Sequence, residues 1–523
     1  MKLRRIAAAV MILSLGAASF TFTAVHGQMR DCRITERTIV GDAFAAAGLN
    51  ASFGMGLRGK LYWKNAYTYD GAGTQETAFS RKNPFPDYRK KTVPSVRLTG
   101  YMTTSSTLDF LLTDPAEGDP TRQALLEQVR QEFFTTGAAE RVQEIKQILP
   151  ANGEQTQDLK LKDLFRYYPI EGDLTGTTIW AASLDNAVFA SEDSAKLWQD
   201  LNRFLRIPIP ETESSGFSVG KYPDGSLNFN YYPWKENQSL AEEHFDFHSI
   251  ACSTQDAVYF TFDTHTDDGH VVDTSLIPGG YGIYRLPYDR EEDAFRSDKL
   301  ETVYPLDSQK EYTNLYASPD GAKLFLVSQK AVPAASGGKE IRVTAEIIDA
   351  RTMRCERREE IFRSADTALG YDAGDYLVFG DSWHQLCLYA YQNGSYEKQL
   401  MLTDVPYRRA AIQSLFYDSG YCRTAFDGER LSILYAADVD AEDSEETVYT
   451  WEAAGTVDVA VLNASGLAYY GTLQTNLQDF CNAAEYQMWK ENVKPRDSEA
   501  KTYAHSPAST FTSYLDKAIW SAI

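Results

Sequence analysis

His265-Thr266-Asp267-Asp268-Gly269-His270, flanked by Asp263 and Asp273, is the densest run of metal-ligating side chains in the chain, and His244 and His248 precede it. Calcium wants oxygen ligands at alternate positions with a glycine at the sixth. Counted from Asp263, the sixth residue is Asp268 and Gly269 falls one position late. Zinc would need the imidazoles of His265 and His270 to converge with a third ligand such as Asp267, which a short loop permits without requiring. His265, Asp267 and His270 are therefore the candidates for Zn2+ or Ca2+, against the plainer reading of a solvated hairpin loop. A second set is aromatic: Tyr231, Tyr232 and Trp234, with Tyr167 and Tyr168, could form a platform for sugar rings or a Pro-rich peptide. Aromatic pairs on strands otherwise serve cross-strand packing.

Catalytic constellations are thinner. Gly380-Asp381-Ser382-Trp383-His384 brings a serine and a histidine close, but not in the elbow that exposes a nucleophile, and neither a triad acid nor an oxyanion loop can be assigned to them. Paired carboxylates contributed by different sheets would be invisible at this level. No phosphate loop or dinucleotide fingerprint occurs, and no catalytic residue or cofactor is assigned. The acidic run Asp438–Glu446 reads as an exposed loop between two strands.

The elements that must carry these residues are mostly strands. Ser318-Pro319-Asp320-Gly321 lies between Glu311–Ala317 and Ala322–Gln329, with Glu340–Thr352 following a Gly-rich loop. Proline pre-sets the first corner, aspartate bonds the backbone ahead of it, and glycine accepts positive φ, so the tetrapeptide turns a hairpin. A second Pro-Asp-Gly stands at 223–225 between Phe217–Tyr222 and Leu227–Tyr232. Paired short apolar runs begin at Ala257, Lys323, Tyr376 and Leu431, at intervals near a four-stranded blade plus variable loops.

Ser-Pro-Asp-Gly followed by Leu324-Phe325-Leu326-Val327-Ser328 resembles a blade of a TolB or WD40-like β-propeller. The resemblance covers some forty residues and implies an exported β-propeller-like protein without implying an activity. The fold expectation is mainly β, a propeller of about seven blades with six to eight compatible; stacked sandwiches also fit repeats of this length.

Between about 120 and 206 the period changes. Leu125, Leu126, Val129 and Phe133 after Pro120, then Val142, Ile145, Ile148 and Leu149 before Pro150, then Leu197, Trp198, Leu201, Phe204 and Leu205 mark three amphipathic helices. Thr107–Thr113 reads as a strand. From 476 to 523 the expectation is a helical tail, with Phe480, Ala484, Tyr486 and Trp489 on one helix, packing on the 30–475 domain.

Met1–Arg5 is cationic, and Ile6–Met29 carries no charged residue. As a helix that run extends about 36 Å, enough for a hydrocarbon core of about 30 Å. Residues 1–29 are accordingly expected to be a signal-anchor, a single transmembrane helix at the cell membrane with the domain extracytoplasmic, the alternative being a cleaved signal and a secreted domain. The formal charge of −22 repels phosphate backbones and excludes nucleic acid as a partner. Six scattered cysteines show no zinc-ligand spacing; several read as small core residues, while export would permit disulfides. The chain thus reads as a tethered binding or sensing module for an envelope protein, peptide or glycan, with a polysaccharide- or peptide-acting enzyme bearing carboxylates at a propeller mouth as the alternative.

Overall fold

The computed structural model describes residues 32–476 and 511–521, except 58–60, 86–93, 101–104, 114–119, 176–180, 233–244, 267–268, 335–336, 382–383, 407–408, 418 and 437–455. The chain divides into two compact units, the first comprising 1–88, 369–390 and 397–523 and the second 89–368 and 391–396. The chain is mainly β, with the described sheets antiparallel.

In the first unit, a five-stranded sheet has the order Ile34–Gly41, Gly466–Thr475, Thr456–Asn463, Leu431–Ala436, Cys422–Phe426. Its neighbours along the chain are a sheet of Phe511–Trp520, Leu49–Leu57, Leu61–Thr68 and Thr74–Ser80, and a meander of Leu369–Asp372, Tyr376–Gly380, Leu386–Gln392 and Ser395–Leu402, of which residues 391–396 belong to the second unit. Leu431 and Ile433 join an apolar cluster with Leu386, Leu388 and Ile412, whereas Leu434 and Ala436 join another with Phe53, Tyr67 and Leu515. The central sheet is thus covered on both faces. A sheet with one face in water would alternate apolar and polar residues; Leu431-Ser-Ile-Leu-Tyr-Ala436 instead reads as a nearly continuous apolar run.

The expected helical tail is corrected where the structure describes it. Phe511–Trp520 is a strand in antiparallel register with Leu49–Leu57. Its Phe, Thr, Tyr, Ile and Trp residues suit a pleated surface, and pairing to a waiting strand supplies the backbone partners that an isolated tail lacks. The helix expected through Trp489 lies outside the described residues. Within Leu49–Leu57 a glycine is required at Gly54: the Phe85 ring and the Trp63 carbonyl occupy the space a Cβ would need, and Phe85 stacks on Tyr514 with centroids 4.4 Å apart.

In the second unit, Glu311–Ala317, Lys323–Pro333, Lys339–Asp349 and Arg354–Ser364 form the expected four-stranded meander around the Ser-Pro-Asp-Gly turn. A second sheet runs Ser249–Ser253, Ala257–Phe262, Gly282–Asp289, with Glu301–Pro305 also paired to Gly282–Asp289. Every residue of Ala257–Phe262 is buried. Three helices occupy the segment read from its 3.6-residue period: Pro120–Phe133, Ala138–Ile148 and Glu192–Phe204. Ser191 caps the last of these by accepting from the Ser194 N–H at 3.2 Å. The insertion is not purely helical, since Thr156–Lys160 and Ile170–Thr175 are strands within it. The buried Asn202 side chain ties helix to strand, its Oδ1 accepting from Ile170 N–H and its Nδ2 donating to Ile170 O, both at 2.8 Å.

Ser105–Thr113 is a helix where a strand was expected. Leu108, Leu111 and Leu112 are buried at the three-and-four spacing of a helical face, while Phe110 is only partly so. Among the described residues no helix is long and apolar enough to cross a membrane. The segment expected to anchor the chain, 1–29, lies outside them.

Candidate functional site

In the first unit, the turn before one strand, the end of another and the last residues of the C-terminal strand enclose a cleft of about 630 Å³. Tyr376 begins the buried strand Tyr376–Gly380, entered through a turn in which Ala373 N–H donates to Tyr376 O at 3.0 Å. Thr424, Ala425 and Phe426 finish Cys422–Phe426. Asp427 then turns the chain by accepting from the N–H groups of Glu429 and Arg430 at 3.0 and 2.7 Å. These are Asx-type bonds, the local chemistry that favours aspartate at such corners.

Arg430 joins the parts. Its Nε donates to Asp427 Oδ2 at 2.8 Å, and its Nη1 donates to the carbonyls of Ala45 and Ala47, each at 3.0 Å. Its guanidinium lies 3.9 Å from the centroid of the Trp520 ring, a cation–π arrangement. The indole is also fixed in its plane, because Nε1 donates to Ala425 O at 3.1 Å. Across the cleft Tyr376 hydroxyl donates to Thr424 Oγ1 at 2.6 Å, with the Tyr376 and Phe426 rings 6.0 Å apart. Burial raises the Tyr376 phenol. For Asp427 burial also pulls upward, but the backbone N–H groups and the Arg430 guanidinium outweigh it and hold the carboxyl below its ordinary range. Asp375 lines the same cleft as an exposed carboxylate.

The sequence candidates lie elsewhere. His265 Nδ1 is 2.6 Å from Asp263 Oδ1, and the loop closes through Thr266 N–H to His270 O at 2.8 Å. His270 is exposed and Asp267 lies outside the described residues. Among the described residues no three His, Cys, Asp or Glu side chains are grouped to hold a metal ion. Tyr231 packs its ring 5.7 Å from Phe217 while more than a third of the residue stays exposed. Tyr232 shares its strand, Leu227–Tyr232, while Trp234 lies outside the described residues. Asp381 is a turn residue, accepting from His384 and Gln385 N–H at 2.8 Å, and Ser382 lies outside the described residues. Gly216-Phe217-Ser218-Val219-Gly220 has the spelling of a nucleophile elbow, yet it runs along a central strand with Ser218 paired to Asn230 on one side and Asp158 on the other. An elbow needs a sharp strand-to-helix turn. Cys32, Cys387 and Cys422 are buried, in line with core roles, whereas Cys355 is exposed.

Sequence reasoning missed the cleft because its residues come from positions near 375, 427 and 520. The one local signal was Asp427-Gly428-Glu429-Arg430, a turn bringing a carboxylate and a guanidinium together beside an aromatic strand end.

No family model and no curated protein matches this chain. Among solved structures, the N-terminal domain of Nup159 is 12% identical with a TM-score of 0.20, over 53% of this chain and 59% of that one. An acylaminoacyl peptidase from Pyrococcus horikoshii is 12% identical with a TM-score of 0.22, over 52% of this chain and 37% of that one. An oligogalacturonate lyase in complex with manganese is 9% identical with a TM-score of 0.20, over 60% and 72%. The chain thus spans less than two thirds of the first two, and its chemistry is read from its own residues.

Proposed function

We propose that this chain is a binding or sensing module, that its ligand site is the cleft between Asp375, Phe426, Arg430 and Trp520, and that its sheets are blades of a β-propeller. The antiparallel meanders have the connectivity of blades, and the central sheet of the first unit, covered on both faces, has the burial of a blade packed between neighbours. The tether is the uncharged run Ile6–Met29, which would hold the domain on the outer face of the cell membrane, facing an envelope protein, peptide or glycan.

The observation that carries the binding reading is the state of the cleft's ionic groups. Asp427 and Arg430 neutralise one another and are bonded into the wall, leaving Asp375 as the exposed carboxylate among the described lining residues. A glycosidase-type mechanism uses two carboxyl groups able to exchange protons or attack. The enzyme alternative draws its support from Asp375 and Asp427 lining one cleft. To separate the two, the full chain is incubated with a soluble envelope digest holding both peptide and glycan fragments. A raised thermal midpoint that is absent in Asp375→Ala, with no new reducing ends or amino termini, is the expected result. Time-dependent release of either product favours the enzyme, and no midpoint shift removes the cleft as a binding site.

A further inference from the structure

Resting on the reading of this cleft as a ligand site, we infer that the ligand is an uncharged oligosaccharide. Among the described residues, the ionic side chains of the lining are Asp375, Asp427 and Arg430, two carboxylates to one guanidinium. An anionic ligand would therefore approach a wall of net negative charge on a chain whose formal charge is −22. Arg430 is a poor receptor for it, since Nε and Nη1 are bonded to Asp427 and to two carbonyls and the guanidinium face is covered by Trp520. A cationic ligand fares little better. Asp427 is already paired, and Asp375 is exposed at the rim, where an ion pair is solvated and weak.

What the cleft does offer is aromatic surface with neutral polar groups between. Phe426 and the face of Trp520 away from Arg430 supply half-buried ring surface, and Ile519 adds exposed apolar area, while Tyr376 is buried behind them. Ser521 supplies a hydroxyl that both donates and accepts, and the Asp375 carboxylate accepts. A pyranose ring matches this: its C–H face lies on an aromatic plane while its hydroxyls donate to a carboxylate and exchange bonds with a hydroxyl. The indole is held by Ala425 O and Arg430 before any ligand arrives, so little ordering is needed on binding.

The full chain is titrated with three oligomers of matched length: uncharged N-acetylglucosamine, cationic glucosamine and anionic galacturonate. Thermal midpoint and tryptophan fluorescence are read, and the envelope digest is run in parallel. The N-acetylglucosamine oligomer is expected to raise the midpoint with an affinity insensitive to salt. Asp375→Ala, at an exposed turn, should weaken it about tenfold, and Trp520→Ala should abolish it. Tighter binding of either charged oligomer through these residues overturns the ligand class while leaving the binding site standing. So does a response to the digest's peptide fraction alone. Undiminished binding of the uncharged oligomer to Asp375→Ala moves the sugar elsewhere and overturns the inference. Silence toward all oligomers and the digest overturns both the ligand class and the site.

Discussion

The tripeptide Pro-Asp-Gly turns two hairpins in the second unit, and the two turns are alike inside and unlike outside. At the first, Gly225 N–H donates to Tyr222 O at 3.0 Å; at the second, Gly321 N–H donates to Ser318 O at 2.8 Å. Both glycines have positive φ, 90° and 70°. Among the described residues Asp224 accepts from the adjacent Ser226, through its N–H at 2.9 Å and its hydroxyl at 2.6 Å, and Tyr222 before it is exposed. Asp320 instead accepts from Ser318 hydroxyl at 2.7 Å, Ala322 N–H at 3.0 Å and Tyr391 hydroxyl at 2.9 and 2.8 Å. Buried Ser318 accepts in turn from Lys323 N–H at 2.9 Å. The same residues thus make the same corner, and tertiary partners decide how much rests on it.

Substitution of the glycines should separate the turns most. A β-branched residue at positive φ is strained at either site. At Gly321 the new Cβ also comes to 3.4 Å from Thr254, whereas at Gly225 nothing lies within 4 Å. Gly321→Val should therefore cost about 1 to 3 kcal/mol and Gly225→Val about 1 kcal/mol. Urea-unfolding midpoints measure both, and equal losses would erase the distinction.

Tyr391→Phe comes next. It removes the hydroxyl that bonds Asp320 and should cost about 0.5 to 1.5 kcal/mol, an effect without counterpart at Asp224. If Tyr391→Phe leaves the midpoint where it was, the second turn is no better anchored than the first.

The smallest expected effect is on pH dependence. Ser318 hydroxyl first, then Ala322 N–H and Tyr391 hydroxyl, hold the Asp320 carboxyl below its ordinary value against the upward pull of burial. A lowered folded-state value means that the ionised carboxylate stabilises the fold. That contribution is complete above the unfolded value near 4 and is lost as pH falls through the lowered folded value. Asp320→Asn keeps an acceptor for the turn but cannot ionise, so the gap between wild type and variant should narrow below about pH 4. Ser226 lowers Asp224 in the same sense; a gap that closes more at Asp224→Asn than at Asp320→Asn would reverse the ranking of the two turns.

Much of the molecule follows from local pattern. The two turns, the strands that alternate or run apolar between them, and the helices at Pro120, Ala138 and Glu192 were legible because each depends on residues a few positions apart. Where two local patterns fit one stretch, the partner decided. Leu108, Phe110 and Leu112 alternate like a strand, but Leu108, Leu111 and Leu112 also make a helical face, and packing selected the helix. Trp520 shows the other limit. Nothing near it in sequence marks it as part of a wall, because its strand pairs with Leu49–Leu57 and its ring is covered by Arg430. Backbone turns and periodicities are short-range and are written into adjacent residues; the cleft is built from contacts between residues 48 to 385 positions apart, which only the folded chain brings within bonding distance.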